Sequence, residues 1–229
     1  MVDPDKTAIR DAATIVLVRD ADGPAPRVLM GQRGEGAAFM PNKFVFPGGA
    51  LDPDDALVQL DAPLDPGMRR RLVALPSTAA MPAPEAMVAG AIRELWEEAG
   101  LMLGQPGVWQ GPLPADWQAF AAAEMRPSPA GLSYVFRAIT PPGRPRRFDA
   151  RFFLADAATI DADLDDFSHA CDELSHLHWI EISEARRLDL PFITEVVLAE
   201  VAALAAGEPL DSVPFFDNSG PAPVFSRID

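Results

Sequence analysis

The sequence predicts an α/β fold, a sandwich of helices around a mixed β-sheet, on three observations. Short runs rich in Val, Leu and Ile alternate with turn signals along the chain. One strongly patterned helix, Pro84 to Leu101, follows a Gly-Gly loop, and a second helical pattern follows the last strand-like run. Strands interleaved with helices in this way bury their apolar faces best as helix packed on sheet.

Ala13 to Val18, "ATIVLV", and Arg27 to Gly31, "RVLMG", are separated by "RDADGPAP" and read as a strand pair. Lys43 to Phe46 is a third short strand, stopped by Pro47 and by Gly48-Gly49, whose missing side chains permit a sharp turn and close backbone approach. Asp52 to Pro84 is proline-dotted and reads as an insertion of short helical pieces, a solvated decoration, with a substrate contact as the alternative: its basic triplet Arg69, Arg70 and Arg71 would receive a distal phosphate of a ligand if it faced a cleft. Pro84 suits a first helical turn, Glu85 suits the positive end of the helix dipole, and Gly100 ends the helix. Leu132 to Ile139 and Arg147 to Leu154 alternate as two strands joined by "TPPGRP". Leu174 to Ile182 adds a strand, "SEARRL" a short helix, and "PFITEVVLAEVAALAAG" a closing helix ended by Gly207. From about residue 208 the tail has no clear periodicity.

At 229 residues, with no low-complexity run dividing it, the chain reads as one domain over 1–229 with the insertion at about 52–84. A mean hydropathy of +0.05 and 48% hydrophobic residues exclude a disordered or fibrous class. No apolar run reaches membrane-spanning length, and the N-terminus lacks a basic patch followed by an apolar core, so a cytoplasmic protein without a membrane partner is expected. Cys171 is the single cysteine; it fits a reducing compartment and reads as a small buried or half-buried thiol. The net charge of −15 argues against a nucleic-acid polymer as partner. It leaves a small phosphorylated ligand open, because a divalent metal held by carboxylates inverts the local sign.

On the long helix, Ala91, Ile92, Leu95, Trp96 and Ala99 form an apolar stripe, while Glu94, Glu97 and Glu98 stand together on the adjoining face. A solvated acidic face is the plain reading of such a cluster. Three carboxylates within two turns repel one another, however, and gain from a hard cation with oxygen ligands, Mg²⁺ or Mn²⁺.

Glu85, seven residues, Arg93-Glu94-Leu95, one residue, Glu97-Glu98, one residue, Gly100-Leu101 resembles the second part of the Nudix box, G-x5-E-x7-R-E-U-x-E-E-x-G-U, with U aliphatic. Gly49 matches its opening glycine. Two acids compete for the first Glu position: Glu85, with about thirty residues inserted before it, and Asp55, six positions after Gly49. The split box, "GQRGEGAAFMPNKFVFPGGALDP" and "RRFDARFFLA" look like a branch of the Nudix hydrolases that includes animal peroxisomal coenzyme A diphosphatases.

That resemblance implies a Nudix-type α/β/α sandwich and metal-dependent hydrolysis of a diphosphate in a nucleoside diphosphate linked to another group, with coenzyme A or acyl-CoA as leading substrate. It makes Glu94, Glu97 and Glu98 metal ligands with the Gly48 carbonyl, and Arg93 the residue that orients them. A general base or further ligand is expected in the loop before the last central strand, where Glu173 lies six residues before Trp179 and Asp172 adjoins it. Arg33, Arg146 and Arg147 are candidates for substrate phosphate, as is Arg151, against solvated or core-flanking roles. His176 and His178 alternate on one strand face without a third soft ligand, and His169 carries no signal. Phe39, Phe44 and Phe46 read as core rather than a base-stacking platform. A homodimer is open. Two rival readings stand beside the hydrolase: a catalytically silent Nudix-fold nucleotide-binding or regulatory module, and a helical interaction protein with a merely acidic helix.

Overall fold

The computed structural model of the chain describes residues 8–76 and 81–229, so the N-terminal stretch to residue 7 and part of the insertion lie outside the described residues. The first pair of strands is β1 (Ile9–Arg19) and β2 (Arg27–Arg33), followed by the short β3 (Phe44–Val45) and β4 (Gly48–Ala50). The insertion supplies a 3-10 turn, Pro53–Leu57, and helix α1 (Pro66–Val73). Helix α2 spans Pro84–Ala99. Strands β5 (Gly104–Pro106) and β6 (Met125–Pro127) pair with each other around α3 (Gln118–Ala122). Then come β7 (Ser133–Ile139), β8 (Arg147–Asp156), β9 (Leu174–Glu181), α4 (Ile182–Ala185), α5 (Phe192–Ala205), β10 (Val213–Asp217) and β11 (Val224–Ile228).

Nine of the described strands form one mixed sheet, in the order β11-β10-β7-β8-β1-β2-β3, with β4 on β1 and β9 on β2. β1 runs parallel to β8 over its length and β10 parallel to β7; the other pairs are antiparallel. Side chains alternate across a strand, and here the two faces feed two cores. Ile15, Leu17 and Phe153 meet Met87, Ala91, Ile92 and Leu95 of α2 and Met68 and Leu72 of α1. Val16, Val18, Met30 and Phe152 meet Val197, Leu198 and Val201 of α5 with Ile182 and Ala185 of α4. Helices on both faces of a mixed sheet make the α/β sandwich that the alternating pattern predicts.

Three departures follow from packing. The Gly48-Gly49 pair is not a turn but part of β4, paired with Thr14 and Ala13 of β1. Close approach is what needs the glycines: a Cβ on Gly48 would lie 2.7 Å from the Thr14 Cα, and one on Gly49 would lie 2.5 Å from Glu94 Oε2. The tail read as irregular carries β10 and β11, which extend the sheet past β7 and bury Val213, Phe215 and Ile228. Its strands are short and proline-flanked, which hides their period. The helix α2 is buried beyond its predicted stripe, at Val88, Ala89 and Gly90 as well, because the insertion covers a second side.

Candidate active site

The center of the site is the C-terminal half of α2. Gly100 ends that helix with φ 72°, a left-handed cap that donates its N–H to Trp96 O. Against this cap packs the 169–171 loop: a Cβ on Gly100 would meet the His169 Cβ at 3.0 Å, the Cys171 N–H donates to Glu97 O at 2.7 Å, and the His169 ring stacks on Trp96 at 5.9 Å. His169 thus acquires a packing role. The docked loop brings Glu173 to the site, and the exposed Cys171, placed by this docking rather than by burial of its thiol, departs from the expected buried or half-buried position.

Arg93 is the hub. Its guanidinium donates to both Asp55 carboxylate oxygens, at 2.9 and 3.1 Å, to Glu94 at 2.9 Å, to Glu97 at 3.0 Å and to Ala50 O at 3.1 Å. Arg93 and Asp55 are both buried. Burial opposes the Arg93 charge, but the bonds from Asp55 and the surrounding carboxylates outweigh it, so its pKa is raised. The two acids that competed in the sequence separate clearly: Asp55 sits against Arg93, while Glu85 lies on the surface and pairs with Arg69. The 3-10 turn holds Asp55 in place, since the Asp52 N–H donates to its Oδ2 at 2.9 Å. Gly90 makes the approach possible, because a Cβ there would lie 2.8 Å from that same oxygen.

Glu98 is buried, and its Oε2 accepts from the Gly48 N–H at 2.7 Å. Its Oε1 is buried without a hydrogen-bond partner, with Arg33 Nη1 at 3.9 Å as the near cation. Burial, then the neighboring Glu94 charge, push the Glu98 carboxyl well above the usual range. Burial likewise raises Glu94 to about 7, against the pull of Arg93. Glu97, less buried, is raised by the same cause. Arg33 donates to Glu173 Oε1 at 2.7 Å and so links the loop acid to the helix acids.

Among the described residues, no group of three or more His, Cys, Asp or Glu side chains is gathered at metal-ligating spacing. The donor chemistry nonetheless fits a hard divalent cation: oxygen donors only, two of them carboxyls that burial makes reluctant to ionize alone, and one buried oxygen with no partner.

Gly48, Gly49, Ala50, Arg33 and Glu173 border a cavity of about 520 Å³ that runs across the sheet face opposite α2. Arg10, Lys43, Arg144 and Arg146 also line it, so five basic residues face one acidic one in a chain of net charge −15. The other predicted arginines are elsewhere. Arg147 is buried with its guanidinium donating to Thr140 O and Asn218 O, and Arg151 is enclosed by Asp11 and Asp149. Both point to the opposite face from Arg146, by strand alternation. Arg69 and Arg71 are engaged by Glu85 and by Leu210 O and Asp211 O, and none of the basic triplet lines the cavity. The β9 bulge opposite Met30 and Gln32 puts His176 at φ 52° and breaks the alternation that would align it with His178. Phe46 is core, whereas Phe39 is half-buried, lines the cavity and meets Phe148 edge-on at 5.1 Å. Phe44, half-buried, packs edge-on against His178. Arg10 escaped the sequence reading because its facing depends on strand register, with the Arg10-Ala12-Thr14 alternation as the available signal, and Lys43 and Arg144 because they lie just outside strands, where no period applies.

No protein-family model matches the chain. It is 30% identical over 190 residues to the Caenorhabditis elegans protein named "Putative nudix hydrolase 7", covering 76% of this chain and 52% of that one. The chain therefore spans about half the length of that curated relative. The crystal structure of a NUDIX hydrolase from Alicyclobacillus acidocaldarius superposes with a TM-score of 0.61 at 27% identity, over 86% of this chain and 93% of the other. The NUDIX domain of Shewanella oneidensis NrtR, solved with ADP ribose, shares the fold at 11% identity and a TM-score of 0.50, over 86% and 88%. In sequence and in fold, the chain is thus similar to Nudix hydrolases.

Proposed function

We propose that the chain hydrolyzes the diphosphate bond of a nucleoside diphosphate linked to another group, using Mg²⁺ or Mn²⁺. The observation that carries this reading is that buried Glu98 accepts from the N–H of Gly48, a residue that borders the cation-lined cleft, while Arg93 holds the neighboring Glu94. Its relatives named as Nudix hydrolases support it. Glu94, Glu97, Glu98 and the Gly48 carbonyl are the proposed holders of the metal. When bound, the metal supplies charge neutralization at the diphosphate and a lowered pKa for water.

The protein's own residues do the rest. Arg93, clamped by Asp55, holds Glu94 and Glu97 in position and does not touch substrate. Glu173, more than half exposed at the cleft and oriented by Arg33, is the proposed base or additional ligand. Arg33 meets the substrate's phosphate at the box end. Coenzyme A or acyl-CoA remains the leading substrate within this reading, a small molecule rather than a nucleic-acid polymer. The reading includes a cytoplasmic location; among the described residues no helix is long and apolar enough to cross a membrane.

The test is a hydrolysis screen over coenzyme A, nucleotide sugars, dinucleotides and dinucleoside polyphosphates, with Mg²⁺, with Mn²⁺ and with chelator. Cleavage that stops with chelator and falls at least about a hundredfold in Glu97→Gln and Glu98→Gln is expected, since each change removes charge and little packing. Tight nucleotide binding without cleavage would favor the silent module instead.

A further inference from the structure

The cleft is cationic at both ends, and the two ends use their charge differently. At the box end Arg33 is engaged by Glu173 and approached by Glu98, and Lys43 pairs with Asp189. At the far end Arg10, Arg144 and Arg146 line the same cavity, are exposed, and have no ion-pair partner among the described residues. The chain has acid to spare, 34 acidic residues against 19 basic, yet no described acid neutralizes this trio.

Register sets the trio's position. Arg10 pairs with Phe148 across β1 and β8, and Arg146, just before β8, shares the alternation of Phe148, Ala150 and Phe152, which floor the cleft. Arg144 lies in the turn that leads into it. Arg10 is four residues from Thr14, whose partner Gly48 holds Glu98. Four strand residues span about 13 Å. Between the two ends the floor is apolar, with Ala12, Ala138, Ala150 and Phe152. Three guanidinium groups that line one cavity with no counter-charge among the described residues repel one another, and an anion bound beside them relieves that repulsion. Their planar donor forks match phosphate oxygens, and the dianion of a phosphate monoester answers more of their charge than a carboxylate does.

We infer that Arg10, Arg144 and Arg146 form a subsite for a second phosphoryl group on the same substrate, set apart from the diphosphate that is cleaved; this rests on the hydrolase reading above. The substrate class is then a phosphorylated nucleoside diphosphate conjugate.

The test uses substrate pairs that differ by one phosphate: coenzyme A with its 3′-dephospho form, and NADPH with NADH. Wild-type protein is expected to prefer the phosphorylated member of at least one pair in kcat/KM by about tenfold or more, the effect of one charge-assisted contact set. In Arg10→Ala/Arg144→Ala/Arg146→Ala that ratio should collapse toward one, and raised salt should shrink it in wild type. Because all three side chains are exposed, near-UV circular dichroism is expected to match wild type. Calorimetric binding of the same pairs separates the two readings. A binding preference lost in the triple variant supports the subsite even where no bond is cleaved, which would sink only the hydrolase reading. Equal handling of both members by wild type, in binding and in turnover, overturns the subsite while leaving hydrolysis intact.

Discussion

Asp55 and Glu85 are two carboxylates of similar chemistry whose places in the fold give them opposite weights. Asp55 is 1% exposed and makes a two-oxygen contact with a buried guanidinium, whereas Glu85 pairs with Arg69 at the surface. Removing one partner of a buried pair strands the other charge and costs about 3–5 kcal/mol, while an exposed pair contributes about 0–1 kcal/mol. Asp55→Ala is therefore expected to lower unfolding stability by about 3 kcal/mol or more. Glu85→Gln should fall within about 1 kcal/mol of wild type. Urea denaturation of both variants checks this, and the reverse order would return the first acidic place of the box to Glu85. Activity should follow the same order, because Arg93 without Asp55 no longer holds Glu94 and Glu97.

At the scale of the element, α2 works because it is contacted on two sides. Its stripe of Met87, Ala91, Ile92 and Leu95 docks on the sheet, and the insertion's 3-10 turn packs on the side that would otherwise face water. Gly90 sits at that second contact, with the sites of a Cβ 2.4 Å from Leu51 Cδ2 and 2.8 Å from Asp55 Oδ2. In an open helix, Gly→Ala stabilizes by about 1 kcal/mol through propensity. Here the added methyl must displace Leu51 and the oxygen that Arg93 holds, an overpacking that costs about 1–3 kcal/mol. Gly90→Ala is thus expected to lower the denaturation midpoint and the turnover together. A raised midpoint would show that the turn yields easily and that Asp55 is not tightly positioned.

For the molecule as a whole, the C-terminal strand pair is structural. β10 joins the sheet beside β7, Val213, Phe215 and Ile228 enter the core that also holds α2, and Asn218 accepts from the Arg147 guanidinium. Burying three such side chains is worth about 1.5–3 kcal/mol each, against a total stability of about 5–15 kcal/mol for a domain. Deleting residues 208–229 is expected to abolish cooperative unfolding or to lower stability by about 5 kcal/mol or more. A truncated chain with a wild-type urea midpoint would make the pair an appendage.

Local pattern was enough for the α/β class, for most strands from β1 to β9, for both long helices and for the run Arg93 to Leu101, because period, caps and motif spacing are properties of neighbors in the chain. Three things were decided only by the tertiary structure. Whether Asp55 or Glu85 meets Arg93 turns on a contact across 38 residues, which spacing along the helix does not encode. That Arg146 faces the cleft while Arg147 and Arg151 are enclosed depends on which face of β8 is covered, and one residue of register exchanges the two. That the tail forms strands depends on the open edge of β7, since two short strands without a partner sheet have too little to bury. Sequence by itself thus determined the elements and the acidic helix. Folding decided which charges meet and which remain open to a ligand, because burial and pairing arise between segments that are distant in the chain.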